Sequence, residues 1–314
     1  MPGGQDRGSS IRPPAVAGMF YPADPAQCRR LARRLVEGDG GGAAAETAVS
    51  PTASSGEATR WLGGIVPHAG WIASGAVAGQ SLRALAASTR EAPPQLVVVF
   101  GAVHTPIDMP LAALDSHARW AVPGGDSTVR QELGAKLTES SDLFAVDDRF
   151  HDREHAVEVE LPLIQVAWPD VEVLPVEVPL VDDAPEIGRR TARQVAAAGL
   201  SALFLASSDL THYGPSYRFA PAGIGPQGLA WAKDNDRRVL GLVTALAFDR
   251  VVPEVRQRAN ACGGGAIAAM LSACRELGAT RATVLRHTNS FETLAGVAPQ
   301  RPVDAVGYAA VVVG

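Results

Sequence analysis

Three short apolar runs in this chain end in the same way, and that recurrence narrows the folds open to it. A-L-F-L-A (202–206) gives way to Ser207, Ser208, Asp209, Thr211, His212 and Tyr213. G-G-I-V-P (63–67) gives way to His68, and Q-L-V-V-V-F (95–100) runs into G-A-V-H-T with His104. A continuous apolar run closed by small residues is the pattern of a strand buried on both faces. Amphipathic stretches separate such runs. Asp24-Pro25 starts a predicted helix to about Gly38, with Leu31, Leu35 and Val36 inward. Further helices are predicted at 127–140, 154–168, 184–198, 227–248, 250–259 and 263–277, and strands at 171–178, 280–286 and 305–313. The stretch 107–126 reads as a hairpin or edge strand. This alternation predicts a three-layer α/β fold in which a mostly parallel sheet carries helices on both faces.

No linker divides two cores, so residues 11–314 are expected to form a single domain. Residues 1–10 read as a flexible tail. The stretch at about 38–60, rich in Gly, Ala, Ser and Thr without periodicity, reads as a disordered insertion. Hydrophobic residues at 46% and charged residues at 19% describe an ordinary globular chain. A net charge of −5 and a pI near 5.8 leave no basic stripe for phosphates, so no nucleic-acid partner is expected. No run reaches the roughly 18 apolar residues that span a bilayer, and the amino terminus lacks the apolar core of a secretory signal. A cytoplasmic location and no membrane partner are the expectation. Cys28, Cys262 and Cys274 are too few and too odd in number for a disulfide framework.

If the three strands are parallel, their carboxyl ends lie on one edge, where open α/β sheets bind ligands. His68, His104, Asp209 and His212 then converge on one cleft. A single His reads best as a packed or surface imidazole, but three repeats of one pattern favour a shared site. Imidazoles and carboxylates are ligands for first-row transition metals. Cys262, in N-A-C-G-G-G-A-I before a helix, reads equally as a thiolate favoured by the helix end and as a small packed residue. Cys274 reads as core. The glycines at 263–265 are a weak phosphate-cradle signal, since Lys and Ser/Thr do not follow. H-D-R-E-H-A-V-E-V-E-L-P (151–162), with Glu154, His155, Glu158 and Glu160, offers a fourth ligand or a supporting carboxylate, and places Glu154 and His155 as cleft lining. Its i, i+4 spacing puts His151 and His155 on one helical face, without the H-E-x-x-H of zinc proteases, and leaves His151 unassigned. His117 and His287 lie in segments with no other polar cluster and read as structural.

Taken together, seven motifs in order make the chain resemble the Memo family, whose bacterial and archaeal members are called AmmeMemoRadiSam system protein B. They are I-R-P-P-A-V-A-G-M-F-Y-P, I-V-P-H-A-G-W-I-A-S-G, F-G-A-V-H-T, E-H-A-V-E-V-E-L-P-L-I-Q, S-S-D-L-T-H-Y-G, A-C-G-G-G-A-I-A-A-M-L and V-G-Y-A-A. That family is similar in fold to the LigB-like class III extradiol dioxygenases. The resemblance implies a non-haem metal site of His68, His104 and Cys262, with iron first and copper or zinc as alternatives. It implies Asp209 and His212 beside the metal, His212 as acid–base, and Trp71, Ser208 and Tyr213 with Glu154 and His155 around the cleft. It implies a metal-dependent redox enzyme acting on a small organic molecule. The other reading is a non-catalytic module that binds metal or peptide, acting with a radical SAM, AMMECR-like or signalling partner. Ala102 stands where the family often has Pro, Trp71 where Tyr is usual, and L-R-H-T-N-S (285–290) where a Tyr-containing segment is usual.

Overall fold

A computed structural model describes residues 10–38, 60–106, 109–297 and 303–314. Residues 1–9 of the expected tail and 39–59 of the expected insertion lie outside them. The strands are β1 (Ile11–Arg12), β2 (Gly63–Val66), β3 (Leu96–Ala102), β4 (Ala112–Leu114), β5 (Arg119–Val122), β6 (Gly125–Thr128), β7 (Phe144–Val146), β8 (Glu172–Val178), β9 (Ala202–Ser207), β10 (His212–Tyr213), β11 (Ala282–Asn289) and β12 (Ala305–Val313). The main helices are α1 (Pro25–Glu37), α2 (Gly75–Ser88), α3 (Gln131–Ser140), α4 (Leu161–Ala167), α5 (Ala184–Ala197), α6 (Pro226–Thr244), α7 (Phe248–Arg258) and α8 (Gly264–Glu276).

The centre of the main sheet is β2-β9-β3-β8, all parallel. β12 adds antiparallel to β2 and pairs antiparallel with β10 and β11, which therefore share the direction of β2. β4 adds antiparallel to β8, and β7 runs parallel to β4. Six of the nine strands thus run one way and β4, β7 and β12 the other.

Val-rich strands suit a sheet covered twice, because successive side chains point to opposite faces. Leu96, Val98 and Phe100 join one core with Phe204, Leu174, Val176 and Val311, against α3 and α5 to α8. Val97 and Val99 face the other core with Leu203, Leu205 and Val312, against α1, α2, α4 and the small β1-β5-β6 sheet. The three expected layers are present.

α8 is buried on every side from Gly264 to Cys274, which small residues permit. It crosses α5 where a Cβ on Gly188 would meet the Ala269 carbonyl oxygen at 1.9 Å. A Cβ on Gly265 would meet the Pro179 carbonyl oxygen at 2.1 Å, so the Gly263–Gly265 run serves close packing, not a phosphate cradle.

Two helices are shorter than their apolar spacing predicts. The expected helix at 127–140 begins at Gln131, because Gly125–Thr128 pairs with β5 as the second arm of a hairpin. The expected helix at 154–168 is a 3₁₀ turn at Glu158–Glu160 and then α4. Residues 151–157 form a loop held by side-chain bonds to its backbone, with Arg12 taking the carbonyls of His151 and Glu154. His151 and His155 therefore do not share a helical face.

Candidate metal centre

β2, β3 and β9 end side by side, and the loops after them carry His68, His104 and Asp209 to one edge. The 151–157 loop adds His155 from above. His68, His104 and His155 each offer a ring nitrogen, and these atoms lie within 4.8 Å of one another. Ring centroids are 5.1 Å apart for His68 with either partner and 4.5 Å for the stacked His104–His155 pair. His68 is buried, His155 half-buried and His104 exposed, so the group opens to solvent on the His104 side.

The hydrogen bonds fix how the rings present themselves. Ser207 Oγ donates to the Ala156 carbonyl at 2.5 Å, so it accepts at 2.9 Å from His68 Nδ1. That leaves the lone pair of His68 on Nε2. There the Cys262 thiol lies 3.3 Å away. Glu154 is bonded by Nδ1 of His104 at 2.8 Å and lies 3.1 Å from Nδ1 of His155. It also accepts the backbone N–H groups of His104, His155 and Ala156. One carboxylate thus aligns two rings and leaves their Nε2 atoms for another partner, an arrangement usual around ligating imidazoles.

The electrostatics follow from this crowding. Burial, and then the fields of His104 and His155, hold His68 well below the usual imidazole range, so it is neutral. Burial works against His104, but bonds to Cys262 and Glu154 lift it to about 10. Burial likewise opposes ionisation of Glu154, yet the bonds from His104 and His155 hold it well below the usual carboxylate range. Burial pushes the Cys262 thiol up. A cation at this point would displace the proton of His104 and the thiol proton together.

Asp209 is buried, and burial raises it to about 7 against the opposing bonds from the backbone of His68 and Ala69. Its carboxylate therefore shapes the loop that carries His68. His212, half-buried on β10, is lowered to about 4, first by burial and then by His104 and His155. Its ring packs 5.0 Å from Tyr217. Ser208 accepts from Gly263 N and lies 3.9 Å from Cys262 Sγ, supporting the thiol from behind. Trp71 and Tyr213, expected around the cleft, are spent on packing instead. Trp71 is 4% exposed and bonds the Val159 carbonyl, while Tyr213 is fully buried and bonds the Gly223 carbonyl.

Of the two roles expected of 151–162, a fourth ligand and a supporting carboxylate, His155 stands in place for the first and Glu154 for the second. They do so from a loop and not from the expected helix, because Glu154 caps its own neighbours. His287, read as structural, pairs with Asp236 at 2.9 Å, and Asp236 also accepts Thr211 N next to His212. His117 is not isolated either. With Asp115 and Asp148 it forms a second group whose ligand atoms lie within 4.8 Å. Its carboxylates tie the local backbone and side chains together. Asp115 accepts from His117 Nδ1 and Trp120 Nε1, and Asp148 accepts the backbone N–H and hydroxyl of Ser116.

The residues that meet here come from five of the seven motifs, and comparison with known proteins agrees. A family profile described as Memo-like protein matches residues 12–312. The chain belongs to the Memo family. It is 32% identical over 308 residues to a MEMO1 family protein of Methanosarcina barkeri, covering 96% of this chain and all of that one. A MEMO1 family protein of Pyrococcus horikoshii is 29% identical over 312 residues, covering 96% and 98%. An uncharacterized protein of Escherichia coli K12 of known structure aligns with TM-score 0.44 at 13% identity, over 74% of this chain and 91% of that one. Among the described residues of this Memo-family chain, no helix is long and apolar enough to cross a membrane.

Proposed function

We propose that this Memo-family protein holds a first-row transition metal with His68, His104 and Cys262, and that His155 is a further donor. The donor chemistry fits. Imidazoles with Nδ1 already engaged and a thiol against the free Nε2 of His68 suit iron, and suit copper or zinc as well. The observation that carries the reading is Glu154, a single carboxylate that aligns two adjacent imidazoles while Ser207 aligns the third.

A bound iron would supply redox and Lewis-acid chemistry to a small organic substrate, as in the LigB-like dioxygenases the family resembles. The chain's own groups supply the rest. His212 is unprotonated at neutral pH because its pKa sits at about 4, so it enters as a proton acceptor. Asp209, at about 7, holds the His68 backbone and changes charge near neutrality. A recess of about 440 Å³, lined by Val103, Thr105, Met109 and Leu180 among others, flanks the loop that carries His104, although His104 itself does not line it. The thiol favours a second reading, a non-catalytic metal-binding module acting with a radical SAM or AMMECR-like partner, because thiolates retain zinc and cuprous copper without turnover.

Anaerobic purification, metal analysis and Fe(II) reconstitution test the site. Wild type is expected to take up one equivalent that His68→Ala loses. Equal metal in both proteins overturns the site, and metal binding without oxygen-dependent consumption of catechols leaves only the second reading.

A further inference from the structure

The second residue of the Memo-family segment I-R-P-P-A-V-A-G-M-F-Y-P is a wholly buried arginine far in sequence from the site. Arg12 has no exposed side-chain surface, and neither has its partner Glu158. Its Nε donates to the His151 carbonyl at 2.8 Å and its Nη2 to the Glu154 carbonyl at 2.8 Å. Its Nη1 reaches Glu158 Oε2 at 2.6 Å. The guanidinium lies 3.9 Å over the Trp120 ring, which closes its second face. Glu158 then accepts the N–H groups of Ala15 and Val16 and the Tyr21 hydroxyl. Five residues after Val16 stands Tyr21, and beside it Phe20 packs its ring 4.7 Å from His155.

The bonding pattern defines what this arginine does. It spans both ends of the stretch 151–154, whose last residue is the carboxylate that bonds His104 and His155. A buried ion pair is weak evidence for stability in itself, since hydrophobic replacement often costs nothing. A planar fork with donors in fixed directions is, however, suited to holding backbone carbonyls at set positions. We infer that Arg12 is a positioning residue: through the carbonyls of His151 and Glu154 it sets the Glu154 carboxylate, and with it the mutual alignment of the His104 and His155 rings. This rests on the proposed metal site for its consequence, though not for its geometry.

Two measurements on the full chain separate the inference from that reading. The first is made without metal: imidazole N–H signals in nitrogen-15 NMR report the Nδ1–H groups bonded to Glu154. Wild type is expected to show both for His104 and His155, and Arg12→Lys, which keeps the charge but loses the fork, is expected to lose them. The second is Co(II) affinity, expected to fall about 10–100-fold in Arg12→Lys, the range typical when a group supporting a ligand is removed. Leu137→Ala, in the opposite core, lowers stability and is expected to leave both readouts unchanged. If Arg12→Lys does not fold, the paired change Arg12→Met with Glu158→Gln leaves no buried charge unpaired and is read the same way. Retained Nδ1–H signals in a folded Arg12 variant overturn the inference, whatever Co(II) does. Lost signals in the variant, with no Co(II) bound by wild type, support the positioning role and overturn the metal reading alone.

Discussion

Two groups of imidazole and carboxylate lie along one sheet, and they differ in what surrounds their polar atoms. His68, His104 and His155 gather at the carboxyl ends of β2, β3 and β9. Asp115, His117 and Asp148 gather after β4 and β7, which run the other way. In the second group the carboxylates are consumed by Ser116, Trp120 and His117, and the result is a fastened loop. In the first, Ser207 and Glu154 consume only Nδ1 atoms, and an unshared nitrogen of His68 faces a thiol. Proximity of ligand-type residues is common to both. Only the first sets a thiol beside an imidazole nitrogen.

Substitutions sharpen that contrast. The largest effect expected is from His68→Ala or Cys262→Ala, which should weaken metal binding at least about 100-fold in titrations against a competing chelator, whereas His117→Ala should leave stoichiometry and affinity as they are. Metal lost equally from His117→Ala would erase the distinction. Next is Glu154→Gln, where a neutral amide aligns the rings less well; a loss of about 10–100-fold is expected, against none for Asp148→Asn.

Acidity provides the third test. His104 is raised to about 10, so below that pH a proton must leave for metal to bind, and the Cys262 thiol adds another. Apparent affinity should therefore rise by about tenfold per pH unit for each proton displaced, between pH 6 and 8. A flat profile would mean that neither group is displaced. For the apo fold the sign reverses. A His with a raised folded pKa stabilises fully below its unfolded value near 6.5 and loses that contribution as pH climbs through about 10.

The smallest effect is on stability. Asp148→Ala removes two bonds to Ser116 and is expected to cost about 1–2 kcal/mol in urea unfolding. Phe204→Ala, in the core, should cost about 3–5 kcal/mol by comparison.

Much of this was legible along the chain. Apolar runs that stop abruptly at His68, His104 and Asp209 announce buried parallel strands and their ligand edge, because only a sheet covered on both faces tolerates such runs. Gly199 and Gly278, with φ of 68° and 96°, end their helices as residues free of a Cβ can. The loop at 151–157 was not legible. Its apolar spacing says helix, and the decision against helix is made by Arg12, 139 residues away, and by the Glu154 side chain folding back on its own backbone. Bonds between a side chain and a distant carbonyl leave no periodic trace in sequence. The same reason left open which residue of 151–162 offers the further ligand, and gave Arg12 no signal beyond its place beside two prolines.

X-ray absorption at the iron edge of the Fe(II)-reconstituted protein tests the central claim most directly. The account expects one sulfur scatterer at about 2.3 Å together with imidazole nitrogens, the sulfur disappearing in Cys262→Ser. A nitrogen- and oxygen-only shell in wild type, unchanged by Cys262→Ser and by His68→Ala, would contradict it.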